Sequence, residues 1–250
     1  MHRLVATPLA LVLLGGGLGA CASAGKDVTL GGDGGTHHDS GPFFDAPASG
    51  GDGNGMIDAP AGMQTKTLTE ATSATATAGN SVACQDTSTG YTYANTYIRV
   101  FDLSTFGIST AFNVTKVSFA VESANGSGIA IAVRVGTYSG TFTGTTTTLN
   151  AAMISIAASN ATVNIPANTS PQNIDAPVTT TIPAGSKVVV EVDSPDFTGS
   201  SKGFFIGSNT GGESAKGFMV ASTCGTTSPT DADSLAGHAM DMIISVTGTY

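Results

Sequence analysis

Two acidic clusters in the second half of the chain carry the residue types that hold cations or move protons. "EVDSPD" presents Glu191, Asp193 and Asp196, and "DAD" presents Asp231 and Asp233. Oxygen ligands of this kind suit a hard cation, so Asp193, Asp196, Asp231 and Asp233 are candidate ligands for a structural calcium. The competing reading is solvated turn carboxylates and no cofactor. His238 stands close by, with Asp231, Asp233 and Asp241 as neighbours. A serine hydrolase needs such a base beside an activated hydroxyl, but an ordinary histidine at a strand end explains the residue more simply.

A third constellation suits sugars, whose apolar faces stack on flat aromatic rings. Tyr91, Tyr93 and Tyr97 share one parity in "YTYANTY", and the chain has no tryptophan. The same tyrosines could line a core edge instead. Asn209, Glu213 and Lys216 lie in "NTGGESAK", which reads as an exposed turn between the arms "GFFIGS" and "GFMVAS" of a hairpin. They are candidate ligand contacts. Two N-terminal motifs are weaker. "DGNGMID" (Asp52, Asn54, Asp58) lacks the glycine and the terminal acid of a calcium loop. "HHD" (His37, His38, Asp39) sits on a segment too mobile to preorganise a metal.

Three cysteines divide by position. "LGAC" closes an apolar stretch after the basic start "MHR" and has the form of a bacterial lipobox, which makes Cys21 the expected lipid-carrying residue. A transmembrane helix fits poorly, since the run holds a proline and several glycines and such a helix needs about 20 apolar residues. Ala22 after the cysteine favours the outer membrane by resemblance to sorted lipoproteins. Cys84 and Cys224 remain, and an even pair in an exported chain reads as a disulfide. They lack the close spacing of a zinc site; free buried thiols are the other reading.

These residues need a scaffold, and composition indicates which kind. Charged residues make up only 11% of the 250, while Gly, Ala, Ser and Thr dominate, which disfavours exposed helices and suits strands with Thr-rich outer faces. The net charge of −9 argues against nucleic acid as a partner. Residues 1–20 read as a lipoprotein signal peptide. Residues 21–65, rich in Gly, Asp, Pro and Ala with "DAPA" occurring twice, read as a disordered tether that cannot bury enough apolar surface to fold. Residues 66–250 read as strands: "GIAIAVRVGTY", "KVSFAVES", "SKVVVEVDS" and "HAMDMIISVTG" alternate apolar and polar residues. "NGSG", "PAGS" and "DSPD" mark turns. The expected fold is all-β, a two-sheet antiparallel sandwich. Four N-x-[ST] sequons, at Asn113, Asn125, Asn160 and Asn168, follow from Thr- and Asn-rich strands.

The strings "TYIRVFDLSTFGISTAFNVTKVSFAVESA", "IPAGSKVVVEVDSPDF" and "GFFIGSNTGGESAKGFMVASTCGTTSPTD" resemble a jelly-roll-like module of bacterial exported proteins. That module is an accessory domain found beside secreted peptidases and other hydrolases. The resemblance, over residues 81–250, implies a jelly-roll-like sandwich and transfers no catalytic residue. The expectation is therefore a lipid-anchored, non-catalytic surface or binding module of the cell envelope. Its partners would be the membrane through Cys21 and a protein or glycan ligand. A carbohydrate-binding module and a hydrolase with an unrecognised site are the alternatives.

Overall fold

A computed structural model of the chain describes residues 3–6 and 62–250, with side chains from residue 62 onward except at 157–160. Cys21, most of the expected leader and tether, and with them His37, His38, Asp39, Asp52, Asn54 and Asp58, lie outside the described residues.

Strands β1 (Arg3–Ala6), β2 (Thr65–Thr69), β3 (Val82–Gln85), β4 (Asn95–Asp102), β5 (Phe112–Asn125) and β6 (Ile129–Tyr138) come first. They are followed by β7 (Ile154–Ile165), β8 (Gln172–Ile182), β9 (Lys187–Ser194), β10 (Gly203–Ile206) and β11 (Ser208–Asn209). The chain ends with β12 (Phe218–Ala221), β13 (Thr226–Asp231), helix α1 (Ala232–Ala236), β14 (Asp241–Met242) and β15 (Ile244–Thr249). One main sheet has six strands in the order β13-β12-β4-β9-β6-β7. The other has five: β10, β5, β15 and β2 in order, with β8 also paired to β5. Strand β5 takes β8 along Phe112–Val121 and β10 along Val121–Asn125, so two strands share one of its edges. Pairing within both sheets is antiparallel. The expected all-β sandwich is the observed fold.

Alternation explains the core. Ile129, Ile131, Val133 and Val135 of β6 are fully buried, as are Val117, Phe119 and Val121 of β5 and Val188, Val190 and Val192 of β9. They meet in one cluster between the sheets. Each such side chain contributes roughly 1.5–3 kcal/mol by leaving water. The run "KVVVEV" carries an extra apolar residue, Val189, because part of the six-stranded sheet's outer face is also covered. The connection from β6 to β7 brings Phe142 and Leu149 onto that face, where they join Ile98, Val100, Val189 and Phe218 in a second cluster.

Two local expectations give way. "GFFIGS" and "GFMVAS" do not form a hairpin: β10 pairs with β5 in one sheet, whereas β12 pairs with β4 and β13 in the other. The segment between them crosses from sheet to sheet. "HAMDMIISVTG" is not one strand either. Asp241 and Met242 pair with β11, and the strand proper resumes at Ile244. Cys84 and Cys224 are joined as a disulfide, 140 residues apart in sequence, which ties β3 to the 3-10 turn after β12.

Candidate functional site

The outward face of the six-stranded sheet carries a polar patch that alternation and register assemble together. Along β4 the residues Thr96, Ile98, Val100 and Asp102 share a parity opposite to the inward-facing Tyr97 and Phe101. Thr96 lies opposite Asp193 of β9, and Ile98 opposite Glu191. On the other side of β9, Ala132 faces Asp193 and Arg134 faces Glu191. The guanidinium of Arg134 therefore reaches both acids: Nη1 is 3.0 Å from Asp193 Oδ2 and 3.6 Å from Glu191 Oε2. Thr96 Oγ1 donates to the other Asp193 oxygen at 2.7 Å. Directly opposed opposite charges on a sheet are favourable neighbours, which is why this triad holds its geometry.

The patch floors a groove of about 370 Å³. One flank carries Ile154 and Ile156, the other Val220, Thr227 and Pro229. Burial raises the Glu191 carboxyl above its ordinary value, the Asp193 charge adds to the rise, and Arg134 opposes it. Burial likewise raises Asp193, against the Thr96 hydrogen bond and Arg134. The groove thus offers carboxylate acceptors, a guanidinium donor and aliphatic walls.

A second cavity, of about 240 Å³, lies near the far end of β4, lined by Glu70, Asp102, Phe106, Phe142, Thr143 and Ser214 among others. The Glu70 carboxyl is raised by burial, the largest effect, despite accepting the Ser214 hydroxyl.

The tyrosine face expected from "YTYANTY" is not formed. Tyr97 is fully buried between the sheets and donates its hydroxyl proton to Val82 O at 3.2 Å, and burial drives its phenol pKa up. Tyr91 and Tyr93 precede β4, where the backbone is no longer a regular strand, so parity does not relate them to Tyr97. Tyr91 is half-buried, and Tyr93 packs on the inter-sheet core.

Asn209 and Glu213 are not at an exposed turn. Asn209 is buried, donating to Ser73 O at 3.0 Å and Thr75 O at 3.2 Å while accepting from Gly211 N–H at 2.8 Å. The Glu213 side chain is 3% exposed and lies 2.7 Å from Nη2 of Arg99, which is itself fully buried. The two side chains turn inward from a segment whose Thr210, Gly211 and Ser214 are exposed.

The four calcium candidates do not gather. Asp193 belongs to the groove. Asp196 closes its own turn by accepting from Thr198 N–H at 2.9 Å and Oγ1–H at 2.6 Å. Asp231 caps α1, accepting from Asp233 N–H at 3.1 Å and the Ser234 hydroxyl at 3.0 Å. Asp233 instead joins Glu213 and Asp241, with one carboxylate oxygen from each within 4.8 Å of the others. Lys216 lies against Asp233 and Glu213, and Arg99 pairs with Glu213, so positive charge at this cluster comes from the protein itself. His238 is exposed, with Nδ1 3.0 Å from Ala239 O.

Sequence reasoning missed Thr96 and Arg134. Arg134 is the charged member of the polar face of "GIAIAVRVGTY", and that was its signal, but only strand order places it beside Glu191 and Asp193.

No known family model matches the chain, and a search of characterised proteins returns no match. Two solved structures show a weak structural similarity. One is the crystal structure of the cysteine protease and lectin-like domains of Cwp84, a surface layer associated protein of Clostridium difficile, at 14% identity and TM-score 0.43. It covers 67% of this chain and 37% of that one. The other is the clostridial cysteine protease Cwp84 after propeptide cleavage, at 14% identity and TM-score 0.41, covering 68% and 42%. The match thus spans about two fifths of those chains.

Proposed function

We propose that the protein is an exported, lipid-anchored, non-catalytic binding module, and that the groove over β4, β9 and β6 takes a polyhydroxylated ligand of the glycan class. The observation carrying this reading is the Arg134–Glu191–Asp193 triad at the floor of an open groove with aliphatic flanks. Carboxylates and a guanidinium together accept from and donate to hydroxyl groups, and fixed pairs lose little freedom on binding. Export is supported by the disulfide, which persists in oxidising compartments, and by the lipobox ending at Cys21.

The test is retention of the domain on a broad polysaccharide panel, compared with Asp193→Asn. Retention of at least one polysaccharide is expected, weakened about tenfold or more in the variant, the scale of one charge-assisted hydrogen bond. Failure to retain any glycan, or equal retention by the variant, withdraws the reading. Anchoring is checked by labelled palmitate: incorporation is expected in the full chain, and incorporation that survives Cys21→Ala overturns it.

A further inference from the structure

Away from the groove, three side chains are placed for a reaction between two of them. Glu213 and Lys216 lie in the connection from β11 to β12, and Asp233 lies in the first turn of α1. Lys216 Nζ is in contact with Asp233 Oδ2 and stands 3.4 Å from Glu213 Oε1. The remaining Asp233 oxygen, Oδ1, accepts the Met240 N–H at 2.7 Å. The carboxyl is thus held with one oxygen polarised by a donor and the other turned to the amine. Arg99 holds Glu213 Oε2 at 2.7 Å, which leaves Oε1 toward Lys216. Asp241, also buried, is engaged by Gly212 N–H at 2.6 Å.

An ordinary ion pair needs only the amine and one carboxylate. Here a second carboxyl, Glu213, is buried beside them with Oε1 3.4 Å from Nζ, and desolvation favours its neutral form. The hydrogen bond to Asp233 and the nearby acids hold the Lys216 ammonium above its ordinary pKa, so Glu213 must act as the base. Proton transfer from the ammonium to that carboxylate leaves a free amine in contact with Asp233 Oδ2, on a carboxyl whose other oxygen is fixed by Met240 N–H. Holding two reactants in this way replaces a bimolecular encounter with a unimolecular step.

We propose that Lys216 and Asp233 condense to an intramolecular amide, with Glu213 as the proton carrier. Glu213 Oε1 takes a proton from Lys216 Nζ, and the amine attacks Asp233 Cγ to form the Nζ–Cγ bond. Glu213 returns that proton to Oδ2, and a second Nζ proton follows by the same route. The Cγ–Oδ2 bond then breaks and Oδ2 leaves as water; one proton stays on the amide nitrogen. Charge and atoms balance, Glu213 is regenerated, and no oxidant or cofactor enters. The product fastens the sheet-crossing segment to α1, while the disulfide fastens the turn after β12 to β3.

Peptide mapping of the reduced, exhaustively digested full chain tests this. The expected product is a branched peptide containing Lys216 and Asp233, lighter than its two parts by one water. Lys216→Arg must abolish it, and Glu213→Gln must slow its formation by about a hundredfold or more, the scale of lost general acid–base assistance. β-Sheet circular dichroism and a cooperative urea transition report whether each variant has folded. Wild-type chain that yields only linear peptides with unmodified Lys216 after prolonged incubation overturns the proposal. A branched peptide forming at the wild-type rate in folded Glu213→Gln overturns the role of Glu213.

Discussion

Arg99 shows what one residue can commit a fold to. It is fully buried, donates from Nε to Met242 O at 3.1 Å and from Nη1 to Ala215 O at 2.6 Å, and pairs with Glu213. It therefore binds β4 to the sheet-crossing segment and to β14 at one point. Removing one partner of a buried pair leaves an uncompensated charge, so Arg99→Ala is expected to cost about 3–5 kcal/mol, read as a lowered urea midpoint. Glu213→Gln in the same background should recover part of the loss, because it removes the stranded carboxylate. The other buried acids set the pH response. Glu70, Glu191, Asp193 and Glu213 all have folded-state values raised, chiefly by burial. Between the unfolded value near 4 and the raised folded value, the folded state binds more protons than the unfolded. Their contribution is fully present below the unfolded value and is lost as pH rises through the folded one. The urea midpoint is thus expected to be higher near about pH 5 than near about pH 7. The pair Glu191→Gln with Asp193→Asn should reduce that difference, leaving the part due to Glu70 and Glu213. Asp175 runs the other way, lowered by the Ser118 hydroxyl and Lys116, but it is exposed and solvent screens it.

At the scale of elements, strands were legible and their partners were not. Strict alternation in "GIAIAVRV" and "KVSFAV" announces β6 and β5, because a strand half-buried on one face has no other pattern. "GFFIGS" and "GFMVAS" carry equally good strand signals, yet local sequence does not encode which sheet edge a short strand meets. Gly207 decides that here. It sits between β10 and β11, donates to Ala120 O at 2.7 Å, and accepts from Ile243 N–H at 3.0 Å. A Cβ on Gly207 would stand 2.3 Å from Ala120 Cβ and 2.8 Å from Ala120 C, so only glycine lets this turn press against β5. Gly207→Ala is expected to cost about 1–3 kcal/mol through overpacking. Gly185 is the control: φ is +73° in the "PAGS" turn and a Cβ there meets nothing within 4 Å. Asparagine tolerates that left-handed backbone better than other side chains, so Gly185→Asn should leave the urea midpoint nearly unmoved. The same gap between local and long-range information hid the groove. Glu191 and Asp193 were visible as members of one acidic cluster, whereas their shared face and their partners Thr96 and Arg134 come only from strand register and order.

For the whole molecule, the disulfide is the constraint with the longest reach. Cys84 is fully buried and its bond to Cys224 closes a loop spanning 140 residues, from β3 past both sheets to the turn after β12. Closing so long a loop takes conformational freedom chiefly from the unfolded chain, and the chain-entropy estimate is roughly 5 kcal/mol. The folded state needs little of this for its shape, since Cys84 is one small member of a large apolar cluster between the sheets. Cys224→Ser and Cys84→Ala should therefore fold to the same sandwich, with β-sheet circular dichroism retained and the urea midpoint lowered. The losses should not add in the double variant, because either single change already opens the loop. Where Cys84→Ala exceeds Cys224→Ser, the excess measures the buried volume at Cys84, since Cys224 is only half-buried. Reduction of the wild type should reproduce the Cys224→Ser midpoint. A reduced wild type as stable as the oxidised form would show that the unfolded chain was already compact enough to lose nothing by opening the loop.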